Sequence, residues 1–583
     1  MRAWLVAVAV LLALPAAPVA RAADPIMPLD QVHRGMRCTG LTVVRGTDIA
    51  SFDVEVLDVV AGRPPEDARI LIRVSGPALG DAGIAEGFSG APVYCPDPAG
   101  TSRVVGALSE TLGQYGETVG LVTPIEQMIG LPADPPATAR QAPRLLARAR
   151  PLRGLLTVGG VSGPLGRALE ATARRAHRRF LAVPAGPLGS YPSQPLAPGA
   201  SVAAGFAVGD IAVGAVGTVT YTDGERVYAF GHPLDSAGKR ALLLQDAFVY
   251  TVIANPVDIQ DATSYKLAAP GHAVGTLSND TPNGVVGEVG MLPDTATLTV
   301  TATDGDSGAE RTVGSQVADE ASVGFPAGRS PLSQVADLAF LQQATTILNA
   351  TPARETADMC VRVLLRIDDQ PLRFCDRYVV QDDGSSFASS DMLGPLAPLA
   401  AQDLDAGLGL ISTARFADLG VRSVDISLRL RRGLALAEIE SARSTTPSVR
   451  PGGALRVVLH TRLLRGPART VTFAVAVPHR LRPGPHVLHL RGAGLDEIGA
   501  GAGEAALEVG SGGGGGQAGA PEPSAAPAQG PASLRELQSR FRGLGRYDGL
   551  AGAFTGGHRR FAAYRDPDLR IDGQASIAFR VRG

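Results

Sequence analysis

Short runs in which hydrophobic and polar residues alternate recur along most of the chain, separated by glycine and proline. Their length and their period of two predict β-strands. The runs cluster in residues 23–135 and 205–300, and the clearest of the first region are 41–44, 52–56, 70–74 and 104–108. Because each set of strands is too small to bury both of its faces, we expect the two β units to pack against each other.

The rest of the chain follows other patterns. A helix is expected near residues 165–180, and Gly, Ala, Pro and Ser dominate a stretch before the C-terminal region, which is typical of a flexible linker. In order, the pattern predicts an intervening segment at 136–204, an α+β segment at 301–400, a β-sandwich at 401–509, a linker at 510–532 and a separable C-terminal appendage at 533–583.

Composition supports a mainly β protein of several domains. The 583 residues exceed what one hydrophobic core holds, and the 71 glycines and 44 prolines imply many turns. The formal net charge is −2, so the sequence gives no reason to expect a nucleic-acid partner.

The first 22 residues predict export. Arg2 precedes an apolar run at residues 5–14, and Ala20-Arg21-Ala22 has the small-x-small pattern of a cleavage site. The run is shorter than the roughly 20 residues that span a bilayer. We therefore expect residues 1–22 to be a signal peptide and the mature protein to be periplasmic or extracellular, without a membrane span.

Four cysteines in an exported chain permit two disulfides. Cys38 begins the first β unit and Cys95 ends one of its strands, so we expect these two to pair. Cys360 and Cys375 then pair by elimination. A simple hairpin turning at residues 368–371 would place Cys375 opposite Leu364, so this bond requires a bulge or a different turn. No Cys/His cluster has zinc-ligand spacing, and neither a metal nor a cofactor is expected.

The motif Gly87-Phe88-Ser89-Gly90-Ala91-Pro92 is the strongest candidate for chemistry. A serine nucleophile needs a base and hydrogen-bond donors for the developing oxyanion. Flanking glycines allow a tight turn in which the amides of Gly87 and Ser89 supply those donors. By itself the motif fits an ordinary Gly/Ser turn equally well.

A base for Ser89 is sought among nine histidines. His232 follows a strand and a glycine in Phe230-Gly231-His232-Pro233, which places it in a turn at a strand end, and His272 is a weaker alternative.

Two segments together resemble the SpoIVB-type serine peptidases. The first runs from 52 to 129 around Gly-Phe-Ser-Gly-Ala-Pro, and the second joins Gly-Thr-Val-Thr at 217–220 to Gly-His at 231–232. The resemblance implies a chymotrypsin-like double β-barrel assembled from two segments, with Ser89 and His232 as catalytic residues. It also implies self-processing and cleavage of a protein partner, which for this chain would lie in the cell envelope.

The chain departs from the sporulation enzyme of that family in two ways. The serine segment here precedes the histidine segment, an order that catalytic geometry tolerates. The stretch matching the family's catalytic aspartate, residues 74–77, has no carboxylate, which leaves Asp81, Asp235 or no acid at all. The main hypothesis is a serine endopeptidase of narrow specificity. The alternative is a non-catalytic envelope protein that binds or scaffolds a partner on the same fold.

Overall fold

The computed structural model describes most of the chain between residues 23 and 582 as a mainly β protein, in agreement with the expected fold class. The described residues are 23–62, 67–112, 118–152, 155–175, 180–182, 191–254, 264–320, 330–349, 354–381, 396–492, 530–544, 549–555 and 561–582. The expected signal peptide and residues 510–529 of the expected linker lie outside them.

The first β unit is a closed six-stranded barrel. Its strands are β1 Arg37–Arg45, β2 Asp48–Ala61, β3 Arg69–Ser75, β4 Pro92–Pro96, β5 Ser102–Thr111 and β6 Val119–Pro124. They pair in the order β1-β4-β5-β6-β3-β2, and β2 pairs back with β1 to close the barrel. Short additions are helix α1 Ile125–Met128, strand β7 Arg140–Gln141, helix α2 Pro143–Leu146 and strand β8 Arg150–Pro151.

Alternation along these strands fills the first barrel. Phe52, Val54 and Val56 of β2 are buried while their neighbours on the other face are more exposed, as a half-buried strand requires. The Phe52 ring covers Gly40 of β1 so closely that a Cβ at residue 40 would overlap it. The barrel core therefore depends on one large and one minimal side chain on facing strands.

The second β unit also closes on itself. Its elements are β9 Leu155–Gly159, α3 Gly163–Arg175, β10 Phe180–Ala182, β11 Ser201–Gly209, β12 Ala212–Asp223, β13 Arg226–Ala229, β14 Gly238–Ile253, β15 Tyr265–Thr281 and β16 Gly284–Val289. Six of these strands pair in a ring, β11-β12-β13-β16-β15-β14, and β14 returns to β11. β12 and β13 form a hairpin in which Asp223 pairs with Arg226.

The two barrels meet along a surface that we call the seam. Val43 of β1 packs there among small or branched residues of the second barrel, including Val216 and Val249. Main-chain hydrogen bonds cross the seam as well: Gly46 and Val249 exchange a pair of them, at 2.6 and 3.0 Å. Apolar packing and backbone pairing thus join the barrels as one body.

The sheet of the second barrel continues into the α+β segment. Its elements are β17 Thr295–Asp304, β18 Glu310–Ala318, α4 Pro331–Thr346, β19 Arg354–Leu365, β20 Leu372–Gln381, α5 Leu396–Ser412 and β21 Val421–Arg432. The strand order from the barrel is β11-β18-β17-β21-β19-β20. The expected sandwich boundary at residue 401 is therefore wrong, because α5 and β21 belong to this layer.

Both expected disulfides are present, Cys38–Cys95 and Cys360–Cys375. The β19–β20 hairpin pairs Val363 with Leu372, and this register sets Cys360 directly opposite Cys375. The turn is thus longer than the simple hairpin expected from residues 368–371, and the second bond needs no bulge.

The C-terminal sandwich consists of two sheets. Its strands are β22 Leu436–Ser444, β23 Ser448–Val449, β24 Ala454–Leu463, β25 Ala468–Ala476, β26 Gly484–Arg491, β27 Leu550–Phe554, β28 Phe561–Tyr564, β29 Arg570–Asp572 and β30 Gln574–Val581. Helix α6, Leu534–Gly543, packs instead on the α+β segment, where Phe541 contacts the ring of Phe374. One sheet has the order β25-β24-β22-β29 and the other β23-β30-β26-β27-β28. Among the described residues, no helix is both long and apolar enough to span a membrane.

The expected separable appendage at 533–583 is a wrong prediction. β29 pairs with β22, and β30 pairs with both β23 and β26, so strands from each side of the expected linker share both sheets. Apolar residues of this region, such as Phe554 of β27 and Phe579 of β30, lie in one core with Leu488 of β26.

A chain ending at residue 492 should fail to form the sandwich. Removal of β27 to β30 exposes the core side of β26 and leaves β22 without its partner β29. We expect rapid amide hydrogen exchange in β24 and β26, measured by mass spectrometry, with β5 of the first barrel still protected as the internal control. Slow exchange in β24 of the shortened chain would show that the appendage is separable after all.

Candidate active site

Ser89 lies in a tight turn, residues 86–91, which we call the nucleophile turn. Phe88 N–H donates to Ala85 O at 3.0 Å and Ala91 N–H to Phe88 O at 2.8 Å. Gly87 and Gly90 have φ of +86° and +92°, values that favour glycine. The sequence motif therefore forms the turn that its two glycines predict, and Ser89 within it is fully buried.

The carbonyl groups of the nucleophile turn are each held by a donor. Glu86 O accepts from Lys266 N–H at 2.9 Å, and Gly87 O accepts from Thr218 Oγ1 at 3.0 Å. Phe88 O accepts within the turn, and Ser89 O accepts from Thr218 N–H at 2.8 Å. Because C=O and N–H of a trans peptide point in opposite directions, holding the carbonyls also aims the amides.

Two amides of this turn stand apart from the others. In the described part of the chain, the N–H groups of Gly87 and Ser89 have no acceptor, whereas Phe88 and Gly90 donate to Ala85 O and Leu108 O. The Ser89 hydroxyl is likewise buried without a hydrogen-bond partner among those residues. Buried, unsatisfied donors are rare in folded proteins. These are the two amides that the sequence predicted for the oxyanion.

His232 belongs to a second irregular segment, residues 230–237, which we call the histidine turn. Phe230, which directly follows β13, has φ of +70° although it is large and fully buried. Such a conformation is strained for a bulky residue and concentrates at functional sites. The Phe230 ring packs directly on Gly217 of β12, in the space that a side chain at residue 217 would fill. This close packing keeps Phe230 in its strained conformation.

The histidine turn lies against the first barrel. Gly231 O accepts from Thr123 Oγ1 at 2.7 Å, and a Cβ at residue 231 would come within 2.8 Å of the Ala107 side chain. Phe230 N–H donates to Thr218 O at 3.3 Å. Thr218 therefore contacts both turns, and the structure brings the serine and histidine segments to the same seam.

The imidazole of His232 is held by its own turn. Nδ1 lies 2.8 Å from Pro233 O. A carbonyl oxygen can only accept, so this contact requires the proton on Nδ1 and leaves Nε2 of the neutral ring with a lone pair. That is the tautomer that a general base needs.

Neither expected acid is placed to orient His232 through Nδ1. Asp81 is exposed in a 3-10 helix, Gly80–Ala82, and Asp235 binds Arg240 Nη1 at 3.1 Å. Burial raises the pKa of Asp235, and the charge of Arg240 opposes this rise. The carbonyl of Pro233 occupies the role for which a carboxylate was expected.

Sequence reasoning missed the group that supports the histidine turn. Asp280, buried on β15, accepts from the main-chain N–H groups of Leu234, Asp235 and Ala237 at 2.7, 2.7 and 3.1 Å. No local signal in the sequence relates Asp280 to His232. The histidine turn leads into β14, and only the pairing of β14 with β15 brings Asp280 next to it.

A buried charge cluster extends from that support. The guanidinium of Arg240 is fully buried and makes two hydrogen bonds to Glu320, at 2.8 and 2.9 Å. Asp235 and Asp280 also lie within 3.1 and 3.8 Å of it. One cation thus compensates the buried carboxylates of Asp280 and Glu320 and the half-buried carboxylate of Asp235.

The weaker candidate, His272, does have a carboxylate partner. Its Nδ1 lies 3.1 Å from Asp246 Oδ2, and Tyr191 donates its hydroxyl to Oδ1 of the same Asp246 at 2.8 Å. The Tyr191 and His272 rings are in edge contact. This pair is part of an aromatic cluster on β14 and β15. Across the described residues, no group of three His, Cys, Asp or Glu side chains is arranged to hold a metal ion.

Comparison with known proteins gives no assignment: no family model, no curated protein and no solved structure matches the chain. The SpoIVB-type resemblance therefore stays a prediction that rests on the two segments quoted above.

Gly90→Ala should disrupt the seam. An added Cβ would overlap Thr218 O and crowd Phe230 N, the two atoms that link β12 to the histidine turn. We expect a loss of about 3 kcal/mol or more in unfolding free energy, measured by denaturant titration. Gly100→Ala is the matched control: its φ is +83° but its Cβ would meet nothing within 4 Å, so only backbone strain of about 1–2 kcal/mol applies. Equal losses in both variants would contradict the close packing at Gly90.

Arg240→Met should destabilise the protein by about 3–5 kcal/mol at neutral pH, because the buried carboxylates of Asp280 and Glu320 lose their counter-charge. The loss should be smaller at acid pH: burial raises the pKa of Asp235, Arg240 no longer opposes the rise, and protonation of Asp235 removes one uncompensated charge. Arg366→Met is the control: that side chain is one-third exposed and pairs with Asp319, so its loss should stay within about 1 kcal/mol. Denaturant titrations across pH would test this, and a pH-independent loss for Arg240→Met would argue against the charge explanation.

Proposed function

We propose that the chain is an exported serine endopeptidase of narrow specificity, with Ser89 as nucleophile and His232 as general base. The observation that carries the proposal is the nucleophile turn, where two amides without acceptors flank a serine hydroxyl without a partner. The resemblance to SpoIVB-type peptidases supports it, and two disulfides suit an oxidising compartment.

The proposed reaction is acyl transfer. Nε2 of His232 takes the proton of Ser89 as Oγ attacks the carbonyl carbon of the scissile peptide, and the N–H groups of Gly87 and Ser89 hold the oxyanion. The C–N bond then breaks as His232 returns the proton to the leaving amine. A water molecule, deprotonated by His232, hydrolyses the resulting ester and restores the serine.

A carbonyl orienting His232 has a kinetic consequence. Pro233 O fixes the tautomer but carries no net charge to stabilise the imidazolium that forms during attack. Replacing the carboxylate of a triad reduces kcat by up to about 10⁴-fold where the tautomer is also lost. We expect a slow enzyme, suited to few cleavages of a defined protein rather than to general digestion.

The burial of Ser89 also restricts the enzyme to few substrates. Neither Ser89 nor His232, at 0% and 5% exposure, is open to a passing peptide. A substrate segment must therefore separate part of the seam to reach the hydroxyl. A partner protein of the envelope that docks first, or a segment of the chain itself, meets that requirement.

The same burial favours the second candidate function, a non-catalytic envelope protein that binds or scaffolds a partner. A core serine that never meets a substrate would be buried in the same way. The two candidates differ in whether Ser89 ever reacts.

Labelling with a fluorophosphonate probe separates them. We expect slow labelling of the wild type at Ser89, none in Ser89→Ala, and a loss of about 10³-fold or more in His232→Ala. For cleavage of a substrate, the double variant should be little worse than either single, because the two residues act as one unit. Ser315→Ala, which removes another buried serine, should label like the wild type. Absence of Ser89 labelling in a folded wild type would select the binding protein.

A further inference from the structure

Lys266 is a buried cation beside the nucleophile turn. It lies on β15 with 2% of its surface exposed. Its Nζ is 3.2 Å from Thr218 Oγ1 and 3.4 Å from Ser201 Oγ. Nothing in the reaction proposed above uses this residue, although an isolated ammonium is costly to bury.

Lys266 contacts three consecutive residues of the turn. Its main-chain N–H donates to Glu86 O. Its aliphatic stem lies so close to Gly87 that a Cβ added there would be 3.1 Å from it. Its ammonium stands 5.2 Å from the centre of the Phe88 ring, within cation–π range. One residue thus touches each position that leads to Ser89.

We propose that Lys266 is a positioning residue of the nucleophile turn, whose ammonium fixes the direction of the hydrogen bond from the Thr218 hydroxyl to Gly87 O. Gly87 O belongs to the peptide plane that lies between the two planes carrying the amides of Gly87 and Ser89, so holding it limits the rotation of both. This role rests on the proposed peptidase function.

The number of protons on each group decides the direction of this hydrogen bond. An ammonium group only donates, and a threonine hydroxyl has one proton to give. When Nζ donates to Thr218 Oγ1, the single hydroxyl proton is left for Gly87 O. Without the ammonium this proton is no longer directed to Gly87 O. Thr218 can give it to the lone pair of a neutral amine or, where the amine is absent, to Thr42 Oγ1 at 3.4 Å, and either choice releases Gly87 O.

The surroundings of Nζ make its charge sensitive to pH. The groups that face it are the hydroxyls of Ser201 and Thr218, with Thr42 behind Thr218 at 3.4 Å, and the ring of Phe88. The titratable residue of the turn is Glu86. Burial, rather than any neighbouring charge, lowers the pKa of Lys266 to about 7. The positioning role is therefore present below about pH 7 and lost as the pH rises through it.

The test compares the rate of Ser89 labelling by a fluorophosphonate in wild type and Lys266→Met, which keeps most of the stem but has no ammonium. His232 is common to both, so their rate ratio isolates Lys266. We expect the wild type to label about tenfold faster near pH 6, a part of the 10²–10³-fold that loss of an oxyanion donor costs, and the ratio to approach one near pH 9. A residue that only packs would give a constant ratio.

Variants of Thr218 test the relay itself. Thr218→Val should label at Ser89 as slowly as Lys266→Met near pH 6, with the same ratio to the wild type across pH. The double variant should label no more slowly than either single variant. Thr218→Ser retains the hydroxyl and should restore the wild-type pH response. A normal response in Thr218→Val would overturn the relay.

Thermal unfolding gives a readout that needs no activity. Since the folded protein releases the Lys266 proton near pH 7 and the unfolded chain near 10.4, the wild type should gain stability as the pH rises between these values. Lys266→Met should lack that gain and melt several degrees above the wild type near pH 6.

The outcomes distinguish the two proposals. A wild type that shows this thermal behaviour but never labels at Ser89 overturns the peptidase function and the positioning role together. Labelling at Ser89 with the same pH response in wild type and Lys266→Met overturns the positioning role alone.

Discussion

Thr218 on β12 is the point on which both irregular segments of the seam depend. Its N–H holds Ser89 O, its carbonyl accepts from Phe230, and its hydroxyl reaches Gly87 O. A strand residue can do this because its N–H and C=O point to the same edge of the strand, so each group can bind a turn from a different barrel. If β12 shifts by one residue, the serine and histidine turns lose their common support at once. The position of the candidate site is therefore fixed by strand register more than by its own side chains.

The rest of the seam holds backbone that would not keep its shape alone. A positive φ at Phe230 costs about 1–3 kcal/mol, and it persists where tight packing leaves the ring no other place. Asp280 satisfies three amides of the histidine turn, and Arg240 in turn compensates Asp280. Lys266 plays the corresponding part for the nucleophile turn. Each turn thus rests on a buried charge supplied by a neighbouring strand.

Local chemistry made part of this molecule predictable. Alternation identified the strands, and the glycines around Ser89 and before His232 identified both turns, because these features depend on neighbouring residues. The Cys38–Cys95 pair followed from the positions of both residues in the first β unit, and Cys360–Cys375 followed by elimination. The residues that support the two turns could not be predicted, because they come close to the turns only through pairing between distant strands. They are Thr218, Lys266, Asp280 and Arg240. The prediction of a separable appendage failed for a similar reason: a composition rich in Gly, Ala, Pro and Ser at 510–532 says nothing about which sheet the later strands join.

The closing strands of the sandwich also set an order of events. Leu436 of β22 pairs with Arg570 of β29, more than a hundred residues later. Both barrels can form before β27 to β30 are synthesised, whereas at that stage β22, β24 and β26 still have apolar faces uncovered. The sandwich is therefore the part of the fold that forms late, and until β29 and β30 dock, its apolar faces are open to contact with other chains.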